Sequence, residues 1–519
     1  MFPSHAPHAT EDKYVRIILF SALAIQIISA VNAIGYWHPD QQHSIIEFAT
    51  YKLGITPEEL MAMEFPNKIR QTIQVYLFLG FYKVMMFLHL DNAYTANMIL
   101  RLITSLLGFT LFNTIILRTF EHDRRLTLYT LLILANFSWS LPYIRTQFNS
   151  ETFGGLAFFS AILLYKGFSV RSMTVWKSML VGFVLSLAFF FRFQMGFAMI
   201  GLGIWFLFVE RASFSIIAGM VVGFLLGTAL NVYLDSLYYG EFVFTPYNYW
   251  KTNIIDERAL RKVKSVWNYV GVLAVVFAAP PLSVVLLFFT GRGLYKKFKD
   301  PYSLSVIFFL LLHCLVPHKE PRFLFPLFGI LPVILGYGLR DYLNQLPAQI
   351  RKTDFSFGVR LLVLISIVVN TVLLAVFLFV PVAQHIAFSK KLNDYFDEDT
   401  AVTVVFYQRT PYETQSARNV ATYYLHSKKP NLEFVTIQMR SEFLKRVHDH
   451  EKETYFVSTY DRLVRDNLVD EMDCEPLLVS SELLVWVNRW LQKLKGPVLP
   501  ELWALYDCGR DAVLEGVNP

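Results

Sequence analysis

Charge is what this chain has little of. Asp, Glu, Lys and Arg make up 17% of its 519 residues while 54% are hydrophobic, against about a quarter charged in an ordinary soluble domain. With a mean hydropathy of +0.41, the balance excludes a soluble globular protein. Cysteine is nearly absent as well: Cys314, Cys474 and Cys508 are too few for a disulfide framework or a cysteine-rich metal site. No glycine-rich phosphate loop of the Walker type is present, which argues against a nucleotide-hydrolysing enzyme. The net charge of +6 is modest and sits in short basic loops, so it does not point to nucleic acid.

What is present is apolar sequence of membrane-spanning length. A window of about nineteen residues finds roughly twelve candidate segments. Their limits are 15–34, 71–90, 97–117, 126–143, 151–166, 178–191, 196–209, 213–234, 268–290, 302–316, 322–339 and 360–382. Several are short, as tilted or broken helices are. Lys and Arg accumulate on the cytoplasmic side of membranes, and the basic loops Lys166 to Lys177, Arg292 to Lys299 and Arg340 to Lys352 therefore go inside. That arrangement puts 35–70, 144–150, 235–267, 317–322 and everything after 383 outside. It closes with about eleven crossings if 71–90 lies along or dips into the bilayer. The basic start and the small residues near Ala30 and Ala33 resemble a secretory signal, but the apolar stretch exceeds the usual signal core and reads as an uncleaved first span.

The polar residues of the outside loops form a pattern. After the first span comes Tyr36-Trp-His-Pro-Asp-Gln-Gln-His-Ser-Ile-Ile-Glu47. A helix started by Pro39 would put Asp40, Ser44 and Glu47 on one face. Thr56-Pro-Glu-Glu59 reads as a capping box opening a second short helix. Arg145-Thr-Gln-Phe-Asn-Ser-Glu151 begins a span with polar residues, Asp235-Ser-Leu-Tyr-Tyr-Gly240 leads into Thr245-Pro-Tyr-Asn248, and His318-Lys-Glu-Pro-Arg-Phe323 lies between two apolar runs. Gathered on one side of a membrane, such groups suit an active site at the lipid surface.

These segments resemble the lipid-linked mannosyltransferases of the GT-C class (glycosyltransferase family 22), and within it the glycosylphosphatidylinositol (GPI) anchor enzymes that add the third or fourth mannose. His318-Lys319-Glu320-x-Arg322-Phe323 matches the family's most distinctive motif in full. Asp235-Ser236, Tyr239-Gly240, Thr245-Pro246, Asn248 and Asn253 match a second block in order and spacing. Arg145 with Asn149, Ser150 and Glu151 resembles a third, and His38-Pro39-Asp40 the start of the first outside loop. Three places depart from the pattern: Gln41 stands where the family has Glu, Arg192-Phe-Gln194 replaces Arg-Pro-Thr, and 265–272 lacks the family's Tyr-Gly-x-His-Pro. Such departures also suit a bacterial relative.

The resemblance implies a polytopic GT-C transmembrane domain over 1–383, its first outside loop at 35–70, and a donor of polyprenyl (dolichyl) phosphate mannose. It further implies a mannosylated glycolipid acceptor and no metal or other cofactor. Transfer with inversion needs a base, for which Asp40 is the candidate. A leaving phosphate needs cations, for which His318, Lys319 and Arg322 are the candidates. His38, Glu47, Arg145, Asn149, Glu151, Asp235, Tyr239, Asn248 and Glu320 are expected to bind or orient substrate. The membrane would be the endoplasmic reticulum in a eukaryote or the plasma membrane in a bacterium, with the site on the non-cytoplasmic side.

Residues 384–519 change character. Strand-like runs at 401–407, 432–438, 455–460 and 477–480 alternate with helical patterns at 413–426, 440–449 and 483–495, which predicts a small α/β domain. Cys474 and Cys508 in this stretch are available to pair in an oxidising compartment. His5, His8, His448 and His450 form no ligand set. Without the resemblance, many spans and a polar external mouth also fit a glycolipid flippase, although transporters place ionisable groups at mid-membrane and show internal repeats. An inactive scaffold of the same fold is the third reading, suggested by Gln41.

Overall fold

The computed structural model describes residues 12–168, 173–256, 263–275, 277–278, 280, 282–345, 357–413, 420–448, 454–459, 471–493 and 502–508. The main helices are α1 (Lys13–Asn32), α2 (Ile73–Phe87), α3 (Ala93–Thr119), α4 (Arg125–Phe137), α5 (Leu141–Arg145), α6 (Ser150–Gly167) and α7 (Val175–Phe191). They continue with α8 (Met195–Ile204), α9 (Phe214–Tyr239), α10 (Leu282–Lys296), α11 (Pro301–Leu315), α12 (Leu331–Gln345) and α13 (Phe357–Phe379). The chain falls into two compact units. The first comprises 1–33, 63–80 and 99–379; the second comprises 34–62, 81–98 and 380–519.

Among the described residues, four helices are long and apolar enough to cross a membrane: α1, α3, α9 and most of α13. Two bent pairs raise the number to six if each is one span: α10 with α11 at 115°, and Pro321–Phe328 with Leu331–Leu343 of α12 at 62°. α2, α4, α7 and Met195–Val209 are shorter and apolar. The stretch 268–290, expected as one span, is instead two helices, Trp267–Val275 and Leu282–Lys296. Pro280 and Pro281 lie between them, and proline cannot carry a helix through its interior.

In the first unit, several helices approach closely where glycine removes the side chain between them. α7 packs along α9, and a Cβ on Gly223 would lie 1.9 Å from the Met179 carbonyl oxygen, so only glycine permits this separation. The same device places the site: a Cβ on Gly155 of α6 would lie 2.6 Å from the Pro326 carbonyl oxygen. Gly155 thus lets the 318–328 turn sit directly on α6, one turn from Glu151. Gly155→Ala is expected to push that turn outward and to cost about 1–3 kcal/mol, read as a lower midpoint of thermal unfolding in detergent.

The second unit holds a five-stranded sheet. Its strands are β1 (Val402–Tyr407), β2 (Leu432–Ile437), β3 (Thr454–Thr459), β4 (Cys474–Val479) and β5 (Trp503–Cys508), in the order β2-β1-β3-β5-β4. β1 runs parallel to β2 and β3, whereas β5 is antiparallel to β3 and β4. β1, Val-Thr-Val-Val-Phe-Tyr, is apolar almost throughout because it is covered on both faces. Val404 and Phe406 pack with Phe388, Leu392 and Trp503, while Val405 and Tyr407 pack with Phe443 and Phe456. Cys474 faces Cys508 across β4 and β5, and the two are joined as a disulfide.

Candidate active site

The first unit assembles its charged residues around the 318–323 turn. α11 ends at Leu315 and a short 3-10 turn, Pro321–Leu324, follows. Proline at 317 and 321 prevents the helix from continuing and leaves His318, Lys319 and Glu320 on extended chain. Glu320 holds the turn together: one carboxylate oxygen lies 2.8 Å from His318 Nε2 and the other accepts from Arg322 Nε at 2.5 Å. Lys319 is turned inward and donates to the Val316 carbonyl at 2.7 Å.

Behind this turn lies a carboxylate shared by two guanidinium groups. Glu151, 1% exposed, has Arg322 Nη1 at 3.5 Å and Arg192 Nη2 at 3.4 Å, both from the same oxygen. Arg192 and Arg322 also lie over the Phe323 ring, at 4.9 and 5.4 Å from its centre, as cations favour. Sequence reading marked Arg192 only as a departure from a pattern. The signal was available: a lone arginine in Phe-Phe-Phe-Arg-Phe, between apolar α7 and α8, is an ionisable group in an apolar setting, which needs a partner.

The other expected residues of this unit lie apart from that cluster or hold neighbouring backbone. Asn149 caps α6, accepting from the Thr152 amide at 2.8 Å. Arg145 is buried, donating to Asn136 Oδ1 and the Ala135 carbonyl, each at 2.8 Å. Asp235, at the end of α9, accepts from the Thr72 amide at 2.7 Å, the Thr72 hydroxyl at 2.8 Å and the Thr245 hydroxyl at 2.6 Å. The Tyr239 hydroxyl donates to the Arg70 carbonyl at 2.9 Å and Asn248 to the Lys68 carbonyl at 3.1 Å. Asp235, Tyr239 and Asn248 therefore converge on one strip of backbone, 68–72, and fix its course. Gly240, with φ of 77°, supplies the left-handed turn that ends α9.

In the second unit, His38 caps the first turn, with Asp40 N 3.2 Å from Nδ1. Asp40 itself is 30% exposed and lies 3.4 Å from the His38 ring. The single helix expected from Pro39 onward is interrupted: Pro39–Gln41 is followed by a π-helical turn, Gln42–Ile46, before Glu47–Tyr51. The wider turn rotates Glu47 out of register with Asp40, so no common face forms. Glu47 is 1% exposed and accepts from Gln42, from the Thr56 and Thr422 hydroxyls and from the Tyr423 amide. The capping box expected at Thr56 is not made, because that hydroxyl is committed to Glu47; Glu58–Leu60 forms only a 3-10 turn without a side-chain cap. Gln41 is 5% exposed and its carbonyl oxygen is buried, a setting that tolerates an amide more readily than a carboxylate.

Two buried histidines lie in the same unit. Burial pushes His43 down to about 4, against a smaller upward pull from Asp40. Burial also lowers His385 to about 4, helped by Arg409 and His43. Both ring nitrogens of His43 are buried without a hydrogen-bond partner. Because these values lie below the ordinary 6.5, the stability tied to neutral rings is present above that pH and lost as the pH falls toward 4. Burial raises Glu47, which acts in the opposite direction. His43→Gln is expected to shift the acid-unfolding midpoint to lower pH, as followed by circular dichroism.

Among the described residues no group of three or more His, Cys, Asp or Glu is placed to hold a metal ion. One Asp-x-Asp run, Asp397-Glu398-Asp399, sits exposed before β1. His5, His8 and His450 lie outside the described residues.

Comparison with known proteins places this arrangement. The chain is 27% identical over 148 residues to GPI mannosyltransferase 3 of Candida albicans, covering 28% of this chain and 29% of that one. It is 24% identical over 334 residues to GPI mannosyltransferase 3 of Drosophila melanogaster, covering 62% and 55%. The chain thus spans about half or less of the length of these relatives. Among solved structures, ArnT from Cupriavidus metallidurans bound to undecaprenyl phosphate is similar in fold, with a TM-score of 0.51 at 10% identity over 98% of this chain and 100% of that one. Together with the spans, this makes the protein a multi-pass membrane protein. The Alg9-like mannosyltransferase family matches from residue 17 to residue 414, so the chain belongs to that family.

Proposed function

We propose that the protein transfers mannose from polyprenyl-phosphate mannose to a mannosylated glycolipid, as a GPI-anchor mannosyltransferase on the non-cytoplasmic face of the endoplasmic reticulum membrane. The observation that carries this reading is the cluster of His318, Glu320, Arg322, Arg192 and Glu151 at the end of apolar helices. In that cluster His318 and Arg322, the imidazole and guanidinium nearest the turn, are both held in place by Glu320, a carboxylate only two residues away along the chain.

The acceptor hydroxyl attacks the anomeric carbon as its proton passes to the Asp40 carboxylate, and the bond from that carbon to the phosphate oxygen breaks. The departing phosphate takes the electron pair and needs no protonating acid. Arg322 and His318 receive it, replacing contacts that Glu320 otherwise satisfies; guanidinium suits bidentate phosphate contact. Lys319 holds the turn from below, and Glu151 keeps Arg192 and Arg322 side by side despite their like charge. His38 orients Asp40.

The test is incubation of the purified protein with polyprenyl-phosphate mannose and a panel of mannosylated lipids, with products read by mass spectrometry. One added hexose and one polyprenyl monophosphate per turnover are expected. Turnover that instead depends on a sugar nucleotide, or no turnover on any lipid of the panel, would overturn the reading.

A further inference from the structure

The first unit carries a second cationic site at the far end of the helices that build the first. α6 begins beside Glu151 and ends at Gly167, and its 18 residues separate those ends by about 27 Å. α11 likewise runs from Pro301 to the turn before His318. At these far ends lies an open cavity of about 390 Å³, lined among others by Arg118, Lys166, Lys297, Asp300, Tyr302 and Arg340. Four of those six side chains are cations and one is an anion.

The anion is already in use. Asp300 caps α11, accepting from the Tyr302 amide at 3.0 Å, and pairs with Lys166 at 3.3 Å. Arg340 is held by Asp123 at 2.7 Å, and Lys166 lies 4.7 Å above the Tyr302 ring. Among the described residues no carboxylate lies within ion-pair distance of Arg118 or Lys297, and both side chains are exposed. Cations at the ends of α3 and α6 do offset helix dipoles, which accounts for Arg118 and Lys166 singly. It does not account for Lys297, in the link between α10 and α11, or for four cations around one cavity of ligand size.

We propose that this cavity binds a phosphate-bearing anion, and that the phosphate is the headgroup of an anionic lipid lying at the membrane face opposite the candidate active site. A bare phosphate is too small to fill 390 Å³, whereas a headgroup with its glycerol does so. Basic pockets between spanning helices take such headgroups. Arg118 and Lys297 grip the phosphate, and Lys166 and Arg340 form the walls.

The experiment measures thermal unfolding of the full chain in detergent with three probes: dioctanoyl phosphatidic acid, dioctanoyl phosphatidylcholine and inorganic phosphate. Phosphatidic acid should protect saturably, phosphatidylcholine should not, and inorganic phosphate should need at least about tenfold more for the same shift. The Arg118→Gln/Lys297→Gln variant should unfold at the wild-type temperature without ligand, since both residues are exposed, and bind phosphatidic acid about tenfold or more weakly. Arg322→Gln should bind it as the wild type does, which separates this site from the His318 cluster. Equal protection by inorganic phosphate would overturn the lipid source. Protection that survives in the Arg118→Gln/Lys297→Gln variant would overturn the site.

Discussion

Asp40→Asn is expected to lower mannosyl transfer by about 10²–10⁴-fold while leaving the unfolding temperature and the binding of polyprenyl phosphate unchanged. The size of the loss follows from the role of a base: asparagine has the same shape and accepts a hydrogen bond, but its amide does not take a proton at neutral pH. The absence of a structural penalty follows from position. Asp40 is 30% exposed and stands at the start of a three-residue turn, so the substitution neither opens a cavity nor strands a buried charge. Glu47→Gln is the internal control, because that carboxylate is enclosed by donors from Thr56, Thr422, Gln42 and Tyr423. Its loss should appear in unfolding temperature rather than in the chemical step. An Asp40→Asn protein with wild-type turnover would leave the base unassigned, and an absence of turnover in the unsubstituted protein would favour the scaffold reading.

Much of this was legible in the sequence, and the parts that were not share a cause. Spans and most strands are written in local composition. β1, β2 and β3 appear as runs of Val, Phe, Thr and Tyr with helices between them, because a strand covered on both faces must be apolar along its length. β5, Trp503–Cys508, is hard to read because it pairs antiparallel with both β3 and β4, outside the strand–helix alternation that marks the parallel strands. The 318–323 turn was legible because charge between apolar runs is costly anywhere except at a functional or boundary position. The surroundings of Glu47 were not legible because two of its partners, Thr422 and Tyr423, are 375 and 376 residues away, and no spacing rule reaches that far. Asp235, Tyr239 and Asn248 were recognised as a group, and they do act together. Their common object, the backbone of 68–72, is visible only once the fold brings it to them.

Glu151→Gln should destabilise the first unit strongly, costing about 3–5 kcal/mol. An intact buried ion cluster contributes little net stability, since desolvation of the charges cancels most of their attraction. Removing the carboxylate alone is different: Arg322 keeps Glu320 as a partner, but Arg192, 6% exposed, would remain enclosed beside that like charge with a neutral amide in place of the carboxylate. The expected readout is a lower unfolding temperature together with weaker donor binding, because repulsion from Arg192 would turn Arg322 away from the phosphate. Neutralising one arginine as well should recover part of the loss. The Glu151→Gln/Arg192→Gln double variant is therefore expected to be more stable than Glu151→Gln alone, a coupling that a cycle of the two substitutions measures directly. Additive losses, or an unchanged unfolding temperature in Glu151→Gln, would mean that Glu151 does not hold the two guanidinium groups together.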